Sequence, residues 1–285
     1  MASKENERLY TTGWEDYELI DAGGGKKLER WGKIITIRPE VQAYFKPELS
    51  NSEWNNKAHF EFISKGGQKG EWKHLKKGIA SNWNIKFNNL QFQLELTKFK
   101  HVGLFPEQRL NWDFIHEKLG EGKRFLNLFA YTGAASCVAR NTKAETVHVD
   151  SVKQFIGWAK INQDASQLDN IKWVHEDALK FADREAKRGN QYDGIIMDPP
   201  AWGIGAKKEK WKLEDKLESL FVSTSQILSE KGFLILNTYS PSITLKDIEL
   251  LAKHYFSDYN LELKELWMIS TSGKKLYYGN LLRVY

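Results

Sequence analysis

Residues 124–136 read RFLNLFAYTGAAS, and this stretch decides the fold. Its short apolar run, FLNLFA, ends in a turn of small and polar residues, and a helical pattern follows. An apolar run of this length with such a turn predicts a buried strand that passes into a helix. Small residues in the turn also let the backbone approach a ligand at the end of the strand.

Three segments further along the chain repeat the pattern of a strand that ends near a polar group. They are TVHVD at 146–150, HEDALKF at 175–181 and YDGIIMDPPAW at 192–202. Helical patterns lie between them, and this alternation predicts a doubly wound α/β sheet from about residue 110 onward. Ligands bind at the carboxyl ends of parallel strands in such a sheet, so the four strand ends outline one pocket.

The same patterns predict the remaining elements of this region. Helices are predicted at WDFIHEKLG, AASCVARNT, VKQFIGWAKINQ, LKFADREAKRG, KLEDKLESLFVSTSQILSEKG and LKDIELLAKHYFSDY. The fifth of these is long and is expected to end at Gly232. A fifth strand is predicted at FLILNTYS, and the tail holds two more strand candidates, LKELWMIS and GNLLRVY, around a turn at SGKK.

Residues 1–100 have a different character from the rest of the chain. They contain many tryptophans and short alternating stretches, among them KIITIRP, AHFEFIS, WNIKF and LQFQLELT. Alternation at period two with β-branched and aromatic residues predicts antiparallel strands. We therefore predict a small β-rich subdomain at 1–100 and an α/β domain at 101–285. The aromatic rings of the subdomain are more typical of a core than of a base-stacking platform.

Composition narrows the class of protein. Of 285 residues, 41% are hydrophobic and 28% charged, which is typical of a globular chain. The net charge of +5 is compatible with a polyanionic partner. A single cysteine excludes an internal disulfide and a cysteine-based zinc site, and the histidines show no metal-ligand spacing, so no metal is expected. The polar N-terminus and the lack of long apolar runs favour a cytoplasmic protein with no membrane partner.

Two carboxylates follow predicted strands and are candidates for binding a nucleotide. Asp150 ends the second strand, where an acid can accept hydrogen bonds from ribose hydroxyls. Its alternative role is a helix N-cap, for which Ser151 competes. Asp177 follows the third strand, where a carboxylate can accept from an adenine amino group. It too could instead cap the next helix, and Glu176 beside it is a rival for the binding role.

The segment Asp198-Pro199-Pro200-Ala201-Trp202 carries the clearest chemical signal. Two prolines after a buried strand fix an extended turn and present carbonyls without a competing N–H. A carboxylate there can orient a nucleophilic nitrogen, and a nearby aromatic side chain can stack on an extruded base. The alternative is a rigid loop without chemistry. The predicted catalytic residues are therefore Asp198, Pro199, Pro200 and Trp202.

The segments FLNLFAYTG, HVD, EDALKF and DPPAW resemble motifs of class I S-adenosylmethionine-dependent methyltransferases. More narrowly, they resemble the bacterial large-subunit (23S) rRNA methyltransferase family, which includes a cytosine-C5 and a guanine-N7 enzyme. Segments at 17–40 and 96–112 match further relatives, so the resemblance spans nearly the whole chain. It implies a Rossmann-like methyltransferase sheet, S-adenosylmethionine as the cofactor and RNA, in particular rRNA, as the substrate.

The resemblance also implies roles for single residues. The first turn would flank the methionine part of the cofactor, while Asp150 takes the ribose hydroxyls and Asp177 the adenine amine. A segment just before the core would close over the cofactor. The residues implied to contact the cofactor are Phe105, Gln108, Arg109, Phe129, Tyr131, Thr132, Gly133, Asp150, Ser151, Asp177, Ala178 and Asp198. The family often has serine two residues after the second-strand acid, where this chain has Val152.

The cysteine content bears on which atom is methylated. Cytosine-C5 methylation needs a thiolate to attack C6, and the family's C5 enzymes carry that cysteine after the fifth strand. Here the fifth strand ends Asn237-Thr238-Tyr239-Ser240, and a serine hydroxyl is far less acidic than a thiol. Cys137, beside alanine and valine on the first helix, is expected in the core. Methylation of a nitrogen, which needs no covalent intermediate, is therefore favoured.

Two other functions stay open at the level of sequence. The same fold could methylate a protein or a small molecule, with the N-terminal subdomain as a lid. The chain could also be a non-catalytic protein that binds S-adenosylmethionine or RNA. The basic segment at 207–212, after the proline loop, is either a solvated loop or a phosphate-contacting flap.

Overall fold

The computed structural model describes residues 8–66, 69–204 and 210–285. These residues divide into two compact units. The core unit contains residues 108–266 and 278–285 together with the first strand residues before Tyr10. The N-terminal unit contains residues 10–107 and 267–277.

The first hundred residues form mainly strands, and strands alternate with helices in the rest of the chain. The strands are β1 (Arg8–Thr11), β2 (Tyr17–Gly23), β3 (Lys26–Trp31), β4 (Ile34–Pro39), β5 (Phe60–Ser64), β6 (Gly70–His74), β7 (Asn82–Phe87), β8 (Leu90–Glu95), β9 (Arg124–Leu128), β10 (Glu145–Asp150), β11 (Ile171–His175), β12 (Tyr192–Met197), β13 (Trp202–Ile204), β14 (Lys210–Lys212), β15 (Leu228–Thr238), β16 (Leu261–Ile269) and β17 (Lys275–Val284). The helices are α1 (Asn51–Lys57), α2 (Arg109–Lys118), α3 (Ala134–Asn141), α4 (Lys153–Ala165), α5 (Ala178–Lys187), α6 (Leu213–Ile227) and α7 (Leu245–Tyr255), and a 3₁₀ turn spans Pro106–Gln108. Within the described ranges, no helix is both long and apolar enough to cross a membrane.

The largest sheet has the strand order β1-β16-β17-β15-β12-β9-β10-β11. Strands β11, β10, β9, β12 and β15 pair in parallel, and β17 runs antiparallel to β15. The prediction of a doubly wound α/β sheet is confirmed. Chain order reverses between β9 and β12, because β10 lies on one side of β9 and β12 on the other. This is the switch point at which such sheets bind ligands.

Alternate residues of the parallel strands give the sheet one fully apolar face. The strand residues in this core are Leu126, Leu128, Val147, Val149, Ile195, Met197, Leu234 and Leu236. They pack with apolar side chains of α5, α6 and α7. Because successive side chains point to opposite faces, Asn127, His148 and Asn237 lie on the other face, and all three are buried. The second face is therefore partly polar near the carboxyl ends of the strands.

The end of α6 differs from the prediction. The helix was expected to continue to Gly232, but it ends at Ile227 and β15 begins at Leu228. Leu228 pairs with Tyr192 of β12, and the register then shifts before Gly194. Pairing with β12 thus draws these residues into an irregular strand, and this tertiary effect overrides their helical pattern.

The N-terminal unit contains a five-stranded sheet, β2-β3-β4-β5-β6, and a separate β7-β8 hairpin. The antiparallel prediction is wrong for one pair, since β4 and β5 run parallel. Helix α1, which we did not predict, connects these two strands. The sequence does carry its signal, because Ser50 and Glu53 form a reciprocal capping box at its start. Trp54 of α1 is buried.

The division of the chain also differs in position from the sequence estimate of 1–100 and 101–285. Residues 101–107 and the hairpin tip 267–277 belong to the N-terminal unit. The tip is attached by backbone hydrogen bonds from Thr271 to Leu19 (2.8 Å) and from Ser272 to Ile20 (3.1 Å). A contact between segments so far apart in the chain leaves no local sequence pattern.

A buried ion cluster holds the N-terminal unit together. Glu29 has no exposed surface, and its two carboxylate oxygens accept from Arg38 at 2.7 and 2.8 Å. Tyr17 donates to it at 2.8 Å, and the ammonium of Lys27 lies 3.2 Å away. Burial alone raises the pKa of Glu29, but the charges of Arg38 and Lys27 and these hydrogen bonds outweigh it and lower the pKa to about 2.

The variant Glu29→Gln tests this cluster. A carboxylate with a lowered pKa stabilises the fold above its unfolded pKa, and that stability is lost as pH falls towards its folded value. We expect the wild-type free energy of unfolding to fall between about pH 4.5 and 2. Glu29→Gln should lower it by about 3–5 kcal/mol at pH 7, because Arg38 loses its charge partner, and should flatten the acid dependence.

Chemical denaturation over a pH series measures both effects. The control is Glu61→Gln, which breaks the more exposed pair with Lys26 and should change stability by less than about 1 kcal/mol. An unchanged acid dependence in Glu29→Gln would show that another group controls it.

Candidate active site

The turn after β9 has an unusual backbone. Phe129, Tyr131 and Gly133 have positive φ angles of 57°, 49° and 82°. Left-handed backbone costs a non-glycine residue about 1–3 kcal/mol and is concentrated at functional sites. Gly133 also lacks space for a side chain, because a Cβ atom would lie 2.9 Å from that of Ala159 in α4. The turn is therefore pressed close to α4 and held in a costly conformation.

Packing fixes the side chains of this turn. The Tyr131 ring lies edge-on to Phe155 at 4.6 Å, and the Phe129 ring lies 5.1 Å from Trp211. Thr132 is buried, and its carbonyl accepts from the side-chain amide of Asn162 at 2.8 Å. Of the predicted residues here, Phe129 and Tyr131 keep partly exposed side chains at the strand end.

Asp150 joins the end of β10 to the same turn. Its Oδ2 accepts from the backbone N–H of Tyr131 and its Oδ1 from that of Val152, each at 2.8 Å. The N-cap position of α4 is Val152, so neither Asp150 nor Ser151 occupies it. Burial raises the pKa of Asp150 and outweighs these hydrogen bonds. Each carboxylate oxygen retains a further lone pair for a ligand hydroxyl.

The end of β11 places Asp177 in the capping role that was the alternative for it. Its side chain caps α5 by accepting from the backbone N–H of Lys180 at 2.9 Å, and it remains partly exposed. Ala178, the first residue of α5, is buried. Glu176, the rival acid, is paired with Arg184 at 2.6 Å. Asp177 thus remains the acid of this strand end that has no salt bridge among the described residues.

At the end of β12, Asp198 is partly buried and lies beside Gln108. The Gln108 amide donates from Nε2 to Asp198 Oδ2 at 3.1 Å and to the Tyr239 hydroxyl at 3.2 Å. Two residues that the sequence singled out separately are thus in contact. Tyr239 was not predicted as a site residue. Its signal was its position after the fifth parallel strand, where the resemblance had directed attention only to a missing cysteine.

The side-chain amide of Asn237 adds hydrogen-bonding groups near the end of β15, which Tyr239 follows. The register of β12 and β15 pairs Met197 with Leu236, which brings Asn237 level with Asp198. Asn237 is fully buried, and neither polar atom of its amide has a partner among the described residues. Buried amides are normally satisfied, so this one marks an environment with unused hydrogen-bonding capacity.

The proline loop leads into a short hairpin of β13 and β14. Pro199 is buried, while Pro200 is exposed and its carbonyl accepts from Trp211 Nε1 at 2.7 Å. Trp202 lies opposite Lys212 in the hairpin, and 57% of its surface is exposed. Of the predicted basic flap, residues 207–209 lie outside the described part of the chain.

Phe105 and Arg109 precede β9 in the chain, and each contacts a residue of its own segment. Arg109 forms an ion pair of 3.4 Å with Asp113 one turn along α2. Phe105 belongs to the N-terminal unit, where its ring lies 5.1 Å from that of His101. The closing role over the cofactor stays a prediction for both residues.

Beneath the turn lies a buried polar brace. Asn127 donates to Ser136 at 2.9 Å, and the Ser136 hydroxyl lies 3.0 Å from Nδ1 of His148. Burial lowers the pKa of His148 to about 3, so the ring is neutral.

Cys137 of α3 is a core residue, and burial raises the pKa of its thiol to about 12. The described ranges contain no cluster of three or more acidic, histidine or cysteine side chains suited to a metal.

This fold and this order of strand-end residues belong to a known class of enzyme. The family model for S-adenosylmethionine-dependent methyltransferases matches residues 65–248. The chain belongs to this family. This membership agrees with the resemblance that the motifs indicated.

Individual relatives agree with this assignment. A crystal structure of an S-adenosylmethionine-dependent methyltransferase from Agrobacterium tumefaciens is 35% identical with a TM-score of 0.92, and the match covers 97% of this chain and 92% of that one. Ribosomal RNA large subunit methyltransferase K/L of Pseudoalteromonas translucida is 31% identical over 56% of this chain and 23% of its own length. Methyltransferase K of Neisseria meningitidis is 30% identical over 64% of this chain and 52% of its own. The chain thus spans about a quarter to a half of these curated relatives.

The variant Asp150→Asn tests the link between β10 and the turn. An amide group places a donor where one carboxylate oxygen now accepts, which leaves a buried backbone N–H unpaired at about 1–3 kcal/mol. We expect the melting temperature to fall by about 2–4 °C for each kcal/mol lost. The control is Asp164→Asn on the exposed face of α4, which should stay within about 0.5 kcal/mol. Equal melting temperatures for the two variants would show that Asp150 does not stabilise the turn.

Proposed function

We propose that this methyltransferase modifies a nitrogen atom of a nucleobase in ribosomal RNA. The observation that carries the proposal is the Asp198 carboxylate, held by Gln108 at the switch point between β9 and β12. An acceptor fixed at that place suits a target nitrogen that still carries hydrogen. No nucleophilic side chain is needed for such a transfer.

The residues at the strand ends fit S-adenosylmethionine. The strained turn from Phe129 to Gly133 would hold the methionine part, Asp150 the ribose hydroxyls and Asp177 the adenine amine. Both acids present acceptors, which is the chemistry that hydroxyl and amino groups require. No side chain of the described residues caps α3, so its first N–H groups face the same strand end. These roles agree with the family resemblance and rest on donor and acceptor chemistry.

We assign the binding and orientation of the target base to the proline loop. When bound, S-adenosylmethionine supplies an electrophilic methyl group on a positively charged sulfur. Asp198 would accept a hydrogen bond from the target nitrogen, aim its lone pair and take up the proton it releases. The Pro199 carbonyl would accept a second hydrogen bond, and the exposed Trp202 ring would stack on the base.

Cysteine chemistry has little support in this site. Cys137 is the only cysteine in the chain, and it is fully buried in α3. Cytosine-C5 methylation would require a thiolate beside the target ring. Nitrogen methylation depends mainly on orientation, which Asp198 and Gln108 can supply.

Two observations favour RNA over other substrates. The Pseudoalteromonas and Neisseria relatives both carry the name of ribosomal RNA methyltransferases. The whole net charge of +5 falls in the N-terminal unit, while the rest of the chain is balanced. Lys57, Lys73 and Lys77 of that unit are exposed and form no ion pair among the described residues. We propose that the N-terminal unit contacts the phosphate backbone.

Methyl transfer from labelled S-adenosylmethionine to total RNA and to ribosomal subunits tests the function. Nucleoside mass spectrometry should find a base methylated on nitrogen. Asp198→Ala should reduce transfer at least about 100-fold, because the target loses its orienting acceptor. Cofactor affinity, measured by calorimetry, should change by less than about threefold, and Asp164→Ala should transfer normally.

Other results of this assay would contradict the proposal in distinct ways. Full transfer by Asp198→Ala would remove the assigned catalytic residue. A 5-methylcytidine product would contradict nitrogen methylation. Label that enters only protein or small molecules would exclude RNA as the substrate.

The variant Cys137→Ala checks the thiol separately. The side chain is small and fully buried in α3, so transfer should stay within about twofold of wild type, with at most a modest loss of stability. Retained cofactor binding with transfer abolished would instead mean that the thiol takes part in the reaction.

A further inference from the structure

We propose that a directional chain of hydrogen bonds, from Arg283 through Asn111 to Gln108, orients the Asp198 carboxylate for methyl transfer. Gln108 and Asn111 are then positioning residues of the reaction, although neither needs to touch the transferred group. The inference rests on the proposed function, because it takes Asp198 as the acceptor for the target nitrogen. It adds Asn111 on α2 and Arg283 on β17, to which no motif assigned a role.

The direction of the chain is set by Arg283. A guanidinium group only donates hydrogen bonds. Its Nη2 donates to Asn111 Oδ1 at 3.3 Å and to the Leu110 carbonyl at 3.1 Å. The oxygen of the Asn111 amide must therefore face Arg283. Asn111 has no exposed surface, so water cannot compensate for a reversed amide.

The next link follows from the first. With its oxygen on Arg283, Asn111 turns its amide nitrogen to Gln108 and donates to Oε1 at 2.7 Å. Gln108 must then present its own nitrogen in the opposite direction. Its two hydrogens are directed at Asp198 Oδ2 (3.1 Å) and the Tyr239 hydroxyl (3.2 Å). Gln108 is 6% exposed, so this orientation is enclosed by protein.

Arg283 is itself held in place. Its Nη1 lies 3.3 Å from the Glu262 carboxylate, and its guanidinium lies 4.5 Å from the centre of the Phe114 ring. Only 11% of the Arg283 side chain is exposed. Arg283 pairs with Ile235 of β15, close to the end of the strand that Tyr239 follows. The fixed charge of Arg283 thus determines how the amide groups of Asn111 and Gln108 are oriented.

The consequence for Asp198 concerns its orientation. A donor on Oδ2 engages one carboxylate oxygen and restricts the rotation of the group, and therefore the position of the other oxygen. If the Gln108 amide reversed, its oxygen would face the carboxylate and repel it. Displacement of about 1 Å at a reacting centre can reduce rate by about 100-fold. The chain of hydrogen bonds should therefore affect the rate of methyl transfer more than the affinity for the cofactor.

The discriminating variant is Asn111→Asp. It has the same shape and can still accept from Arg283, so this contact should persist, while the added buried charge lowers the stability of the fold. It has no hydrogen to donate to Gln108, whose amide should then reverse. We expect kcat to fall about 10- to 100-fold, while the KM for S-adenosylmethionine changes by less than about threefold. The matched control Ile115→Val removes one methyl group from the same helix and should transfer normally.

A double variant separates positioning from simple damage. Because Asn111 acts through Gln108, Asn111→Asp combined with Gln108→Ala should be no slower than Gln108→Ala alone, within about twofold. Residues that act independently would show additive losses. A wild-type kcat for Asn111→Asp, or additive losses in the double variant, would overturn the chain.

A second readout needs neither substrate nor turnover. In ¹⁵N-labelled protein, the side-chain NH₂ signals of Gln108, assigned by their loss in Gln108→Ala, should exchange slowly with solvent. They should shift and exchange faster in Asn111→Asp but not in Ile115→Val. Unchanged signals in Asn111→Asp would overturn the chain. Asp198→Asn separates the two proposals. If it transfers at the wild-type rate while these signals behave as expected, the proposed function fails but the chain of hydrogen bonds to Gln108 is supported.

Discussion

The parallel pairing of β9 with β10 on one side and β12 on the other is the constraint on which this molecule depends. It brings the ends of three strands to one edge of the sheet, at the point where the chain order reverses and where such sheets bind ligands. The polar side chains assigned to the reaction follow these strands or their neighbours β11 and β15. The apolar face beneath them, packed on α5, α6 and α7, keeps the strands in register.

The strand ends alone do not make a site; the local conformations there are maintained by hydrogen bonds between neighbouring elements. Asp150 holds the left-handed backbone of Tyr131, which no isolated turn would favour. Gln108 holds Asp198 from the 3₁₀ turn that precedes α2. Each acid is thus oriented by a group from another element, so folding and preparation of the site occur together.

The sequence predicted the α/β fold because the signal is local and repeated: apolar strands, small-residue turns and helical patterns in regular order. It predicted Asp150, Asp177 and Asp198 as candidates because each lies at or just after the end of such a strand. It missed Tyr239, whose importance appears only when β15 is seen beside β12 in register. It also missed the parallel pairing of β4 with β5 and the attachment of residues 267–277 to the N-terminal unit, since both depend on contacts between distant segments.

The structure of this protein with S-adenosylhomocysteine bound tests the central claim most directly. We predict a ligand at the switch point between β9 and β12, with its ribose hydroxyls on Asp150 and its sulfur facing Asp198, and with the Gln108 contact to Asp198 preserved. A ligand bound elsewhere, or a sulfur turned away from the end of β12, would contradict the assignment of Asp198 as the residue that orients the target nitrogen.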